Sequence, residues 1–367
     1  MDYGVISSDS HVNEPRDLWQ ERLPSQLRPM GLKVVECADG GEGWTHEGNP
    51  PKSFGLGVGS GDKTKLRAQG KRFSDINPGN YDPLVHLKDQ DRDGVDASVM
   101  FPGQAMFLSR IENKELRIAS FQVYNDWLVE DFASANPSRI IPLAMLPVDD
   151  DIEDSLVELD RSMRKGHRGA IIPLHPVHRA YTDPYYEPLW QQAAMTGFPL
   201  HFHKALSKRV PDPFAVKPSA AARVAQVVLQ YTGAMEPIAL MVFSGVFHRN
   251  PSLKVVSAES DFGWWPFFEQ NCDAQWERQQ HWARLELTQK PSEYFKRQVY
   301  VTFQDDYVGC SLLKFVGSDN FMWASDYPHS VSSWPNSRSH IKEVMANVGE
   351  DDKRKLLAGN AIRIYKL

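Results

Sequence analysis

Short apolar or β-branched runs alternate along this chain with longer segments of helical period. The strand-like runs are Val5–Ser10, Ala97–Phe101, Ile140–Leu146, Gly169–Leu174, Pro199–His203, Leu253–Glu259, Val299–Phe303 and Phe321–Asp326. Runs this short, bounded by turn residues, read as buried strands rather than helices. Helical stretches such as Lys114–Ala135, Ile152–Lys165, Tyr185–Thr196 and Phe262–Arg284 separate nearly all of them. Eight βα units predict an α/β fold, a TIM-type (β/α)8 barrel whose chemistry sits at the C-terminal ends of the strands. A doubly wound open sheet is the competing arrangement.

One region breaks the alternation. From about Met30 to Asn80 the chain is rich in Gly, Pro and charge, including the glycine run between Gly55 and Gly61. These glycines do not follow a strand and open a helix in dinucleotide-binding register, so a phosphate cradle is not expected. The segment is expected to be a lid-like loop inserted after the first strand of a single domain spanning residues 1–367. Trp44, His46 and Phe54 are its candidate substrate-facing residues, with a plain solvated loop as the alternative.

Composition narrows the functional classes. With 367 residues and 41% apolar content the chain can bury a large core in one barrel. A net charge of −6 argues against nucleic acid or an anionic membrane as the main partner. No apolar run approaches membrane-spanning length and no secretory signal is evident, so a cytoplasmic location is expected. Cys37, Cys272 and Cys310 form no CxxC pair and no disulfide framework. There is no Gly-x-Ser-x-Gly elbow, no Walker loop and no cysteine placed as a nucleophile.

Metal-capable side chains, in contrast, gather at predicted strand ends. Asp9 and His11 are two residues apart, so on a strand they face one way, and Glu14 follows. The fifth strand carries His201 and His203, the sixth ends in Glu259, and the eighth gives Asp326 with His329 three residues on. His175 and His178 follow the fourth, a weaker signal. Imidazole and carboxylate donors suit Zn, Mn or Fe better than Ca and leave open positions for water or substrate.

Each residue also has a plainer reading. His201 precedes an aromatic residue in an apolar strand and reads as a core histidine, which leaves His203 as the expected ligand. Glu14, before Pro15, could cap a helix at Arg16–Arg22 instead of touching metal. Glu259 ends a buried strand and needs a partner or a metal. His329 reads as a proton donor or as support for a ligand. The joint occurrence at successive strand ends is more specific than any single member.

With these residues in view, the chain resembles the amidohydrolase-related group of the amidohydrolase superfamily, in its aminocarboxymuconate-semialdehyde decarboxylase-like branch. The motifs are Asp9-Ser10-His11-Val12-Asn13-Glu14-Pro15, Phe202-His203, Gly245-Val246-Phe247 with Pro251-Ser252-Leu253-Lys254-Val255, Glu259, and Ser325-Asp326-Tyr327-Pro328. The resemblance implies a distorted TIM barrel and one catalytic divalent metal held by Asp9, His11, His203 and Asp326. It implies non-redox cleavage of a C–C bond, as in decarboxylation of an aromatic or unsaturated carboxylic acid, or hydrolysis, with Asp326 relaying a proton.

Two departures open other readings. The first-strand pair is Asp-x-His, where decarboxylases of the family often have His-x-His or Glu-x-His. Glu259 stands where they usually carry a catalytic histidine. Glu14, Glu259 and His329 raise the ligand count enough for two metals, which resembles members of the fold with a dinuclear iron centre for oxygen-dependent hydroxylation. A third possibility is a metal-holding subunit that supports a homologous partner chain; otherwise a homo-oligomer is expected.

Overall fold

The computed structural model describes residues 3–54, 67, 69–149, 151–207 and 220–367. Eight parallel strands wind in sequence order among these residues. They are β1 (Ile6–His11), β2 (Ala97–Phe101), β3 (Ile140–Pro142, resuming as Ala144–Met145), β4 (Ala170–His175), β5 (Leu200–Ser207), β6 (Val255–Ala258), β7 (Val299–Phe303) and β8 (Phe321–Trp323). Neighbours pair in parallel from β1 to β3 and again from β3 to β8.

Closure is made beyond the regular ladder. The N–H of His11 donates to the Tyr327 carbonyl at 2.6 Å, and that of Asp326 to the Asp9 carbonyl at 3.0 Å. Ser7 Oγ accepts from the Ser325 N–H at 2.8 Å and lies 2.9 Å from the Ser10 and Ser325 hydroxyls. Small hydroxyl side chains thus join the first and last strands without the bulk that would hold them apart.

The barrel is distorted at β3. Its pairing with β2 ends at Met100 opposite Pro142, a residue with no N–H to extend a ladder. Beyond it Ala144 and Met145 pair only with β4. The Asn125 amide supplies what β2 does not, accepting from the Met145 N–H at 2.8 Å and donating to its carbonyl at 3.0 Å.

Alternation along the strands builds two buried layers. Ile172, Leu174, Phe202, Val255, Val301 and Phe321 pack outward under the helices, with Trp190, Ile238 and Phe247. Ile171, Val256, Tyr300 and Met322, each one residue out of step, belong to a second layer with Val99 and Phe101. A fully buried apolar side chain of this size contributes about 1.5–3 kcal/mol. His201 and His203 lie on β5 out of step with Leu200 and Phe202, so both share the inner layer's side of the sheet.

The segment after β1 holds more order than its composition suggested. Lys33–Glu36, Glu42–Thr45 and Lys52–Ser53 form an antiparallel sheet. Trp44 and Phe54 are buried in the hydrophobic core, Trp44 edge-on to Trp19 at 5.4 Å. The Asp39-Gly40 pair in the first turn, with Gly40 at φ +80°, is the hairpin signal that was there to be read. The glycine run at 55–61 lies outside the described residues.

Element boundaries moved by a few residues. β5 continues past His203 to Ser207, whereas β8 stops at Trp323 and leaves Ser325 and Asp326 in an irregular turn. The helix begun at Lys114 ends at Trp127 and is carried to Ala135 by a wider and then a tighter turn.

Candidate metal centre

Four of the six residues singled out as metal ligands converge at the C-terminal mouth of the barrel. Asp9 and His11 end β1, His203 lies on β5 beside β6, and Asp326 follows β8. All four are essentially inaccessible to solvent. His11 Nε2 lies 3.3 Å from Asp9 Oδ1 and 3.3 Å from Asp326 Oδ1. His203 Nε2 is 3.9 Å from Asp9 Oδ2. The two imidazoles meet edge to face with centroids 5.1 Å apart, and Phe101 packs against both.

The His11 tautomer follows from its other nitrogen. Nδ1 is 2.9 Å from the Pro102 carbonyl, which can only accept, so Nδ1 carries a proton and Nε2 is the nitrogen turned toward the carboxylates, where it would give its lone pair to a metal. Among the described residues, neither Asp9 oxygen nor His11 Nε2 has a hydrogen-bond partner. Buried acceptors facing one another without donors are costly unless a cation lies between them. Donor atoms of Asp9, His11 and His203 all lie within 4.8 Å of one another, and so do those of His11, Asp326 and His329. The donor set therefore fits a divalent metal.

Protons mark the same demand. Burial opposes charge on His11, yet the Asp326 and Asp9 carboxylates outweigh it and hold its pKa well above the usual imidazole value. Burial raises Asp9, whereas for Asp326 the His329 and His11 imidazoles overcome burial and hold the carboxyl well below the usual range. A cation of charge +2 would take over the work these protons do.

Glu259 and His329 flank the group. Glu259 Oε2 is 3.5 Å from His203 Nε2, with the side chain 11% exposed. Its backbone is left-handed, φ +53°, and its N–H donates to Thr302 Oγ1 at 2.7 Å. Asp326 shares that unusual φ of +53°. Strain at both carboxylates costs on the order of 1–3 kcal/mol each and is characteristic of functional positions. His329 Nδ1 is 2.8 Å from Asp326 Oδ1, and its ring stacks on His11 at 3.9 Å.

The structure does not bring Glu14 into the group. Its carboxylate is buried but accepts from the N–H groups of Gly103, Gln104 and Ala105 at 3.2, 2.8 and 3.1 Å. It caps a turn after β2, not the helix Leu18–Arg22 that directly follows it. His201 also stands apart: Nδ1–H donates to the Ala170 carbonyl, and Nε2 accepts from Tyr365 Oη, both at 3.0 Å. Burial lowers its pKa to about 4, which keeps it neutral. His175 and His178 line a separate groove with Glu236. Sequence reasoning missed Pro102, Phe101 and Thr302. A Pro-Gly pair directly after a strand was the signal available for the first.

A parallel barrel with a buried carboxylate–imidazole group at its mouth defines a class, the metal-dependent barrel enzymes. Within it, this chain belongs to the amidohydrolase family, whose model, described as "Amidohydrolase", matches residues 75–367. The match begins after β1, so Asp9 and His11 stand outside it. A curated relative is 2-amino-3-carboxymuconate-6-semialdehyde decarboxylase of Dictyostelium discoideum, 27% identical over 311 residues, 83% of this chain and 82% of the relative. An amidohydrolase structure from Mycobacterium avium subsp. paratuberculosis superposes with a TM-score of 0.79 at 21% identity, covering all of both chains. A dihydroxybenzoic acid decarboxylase from Polaromonas, solved with manganese and the inhibitor 2-nitroresorcinol, gives 0.67 at 18% identity, covering 100% of this chain and 98% of that one. No helix among the described residues is long and apolar enough to cross a membrane.

Proposed function

We propose that this enzyme is a non-redox decarboxylase of a small aromatic or unsaturated carboxylic acid, with one divalent metal per chain. Asp9, His11, His203 and Asp326 would hold the metal, which supplies Lewis acidity at a substrate oxygen when bound. Zn, Mn and Fe all suit this donor set. The observation that carries the reading is the meeting of both candidate triads at His11. His11 has one lone pair to offer, because Nδ1 is committed to Pro102, which supports reading the triads as one centre. Glu14 is bonded to backbone and adds no donor to that centre, which disfavours the dinuclear iron oxygenase.

The chain's own residues then have distinct tasks. His329 holds Asp326 Oδ1 and keeps that carboxylate ionised and oriented. Glu259, partly open to solvent, carries the proton. As the C–C bond breaks, its electron pair stays on the substrate carbon. The protonated Glu259 carboxyl donates to that carbon, carbon dioxide departs, and solvent restores the proton. The same carboxylate could instead accept a proton from water, which makes hydrolysis of a carboxylate-bearing substrate the second reading.

Metal analysis of anaerobically purified protein, with a carbon dioxide release assay over aromatic and unsaturated acids, tests the proposal. About one Zn, Mn or Fe per chain with carbon dioxide release is expected. About two Fe per chain with oxygen-dependent turnover would replace it with the oxygenase.

A further inference from the structure

We propose that Glu14 is a positioning residue for His11, acting through the loop that follows β2. The inference rests on the reading of His11 as a metal ligand. Glu14 is fully buried, and its two oxygens accept from three consecutive N–H groups, Gly103 to Ala105. The residue just before them, Pro102, presents the carbonyl that takes the His11 Nδ1 proton at 2.9 Å. Both ends of this linkage arise from one short stretch, since Glu14 is three residues from His11. The carboxylate therefore ties the loop after β2 back onto the exit of β1.

The loop has no slack with which to ignore that tie. A Cβ on Gly103 would lie 2.2 Å from the Val12 carbonyl oxygen and 3.1 Å from Asn13 Oδ1, so the two backbones are in contact. The Val12 N–H also donates to the Phe101 carbonyl at 3.1 Å. Holding Gly103–Ala105 fixes Pro102, and Pro102 sets both the tautomer and the ring direction of His11. A partner that orients a metal-binding histidine is typically worth about 10–100-fold in metal affinity. Burial raises the Glu14 pKa, and the three N–H groups work against that rise by favouring the ionised carboxylate, whose charge-assisted bonds are shorter and stronger than neutral ones.

Zinc titration of metal-free Glu14→Gln protein, with thermal melting and nitrogen-15 histidine spectra of the zinc-loaded form, tests this. The amide keeps the shape but cannot accept all three N–H bonds. Zinc binding should weaken about 10–100-fold with stoichiometry unchanged, and the His11 Nδ1–H signal should shift or broaden. A folded variant with a lower melting temperature and wild-type zinc affinity would show a merely structural clamp and overturn the proposal. If Glu14→Gln does not fold, Gly103→Ala displaces the same loop without removing a polar group, and unchanged affinity there overturns it equally. Zinc-loaded wild type with His11 protonated on Nε2 would also overturn it. Wild-type affinity in His11→Gln would instead sink the metal-ligand reading on which it rests.

Discussion

The N–H of Asp326 donates to the carbonyl of Asp9 at 3.0 Å, so two carboxylates 317 positions apart in sequence are tied backbone to backbone. That single bond does two things. It helps close the barrel between β8 and β1, and it brings both carboxylates to the same end of the barrel, where each has an oxygen 3.3 Å from His11 Nε2. Asp326 adopts φ +53° to make the turn, a conformation an aspartate tolerates better than most side chains.

The two histidines of β5 should separate cleanly. His203→Ala is expected to lose metal and activity together, because it removes a nitrogen aimed at Asp9. His201→Gln should keep full metal occupancy and lose about 1–3 kcal/mol of stability, since it disturbs the bonds to Ala170 and Tyr365. Metal content by mass spectrometry decides; a metal-replete His203→Ala protein would hand the role to His201.

Glu259→Gln should bind metal normally and turn over about 10²–10⁴-fold more slowly, the usual worth of a positioned proton-transfer group. Loss of the metal would make Glu259 a ligand instead. Near wild-type turnover with normal metal would leave it a structural carboxylate.

Thr302→Val removes the hydroxyl that accepts the Glu259 N–H and changes little else in shape. The left-handed turn at Glu259 then loses its anchor, at a cost of about 1–3 kcal/mol for the unsatisfied N–H. Because the turn positions Glu259 and touches no substrate, kcat should fall more than KM rises. Steady-state kinetics beside a denaturation curve separate this from general destabilisation.

Acid should unfold the protein before it strips ordinary carboxylates. Burial lowers the pKa of His86 and of His167 to about 4, and each Nδ1–H donates to a backbone carbonyl, Gly79 and Ser162 respectively. In the unfolded chain each titrates near 6.5. Between about pH 6.5 and 4 the unfolded state therefore binds protons that the folded state refuses. Their contribution is complete above about pH 6.5 and is lost as pH falls, at up to about 1.4 kcal/mol per pH unit for each. Urea midpoints from pH 7 to pH 5 should show the decline, and His167→Asn should make it shallower. An unchanged slope in that variant would mean the imidazole is already charged in the folded protein.

What the sequence by itself determined was the alternation. Eight short apolar or β-branched runs separated by helical periods specify parallel strands with helices outside, and residue spacing put Asp9 with His11, and His201 with His203, on common faces. Local chemistry is enough for that, because side-chain direction repeats every two residues on a strand. Which of two eligible groups stands at the barrel mouth was decided by neighbours remote in sequence. Tyr365 claims His201 and leaves His203 for the mouth; Gly103, Gln104 and Ala105 claim Glu14 and leave Asp9 with no donor. The hairpin at 33–45 carries its turn signal in Asp39-Gly40, but the glycines and charges around it resemble those of a loop until Trp44 packs on Trp19. A buried polar group is defined by the partners it finds or lacks, and folding supplies those partners from elsewhere in the chain.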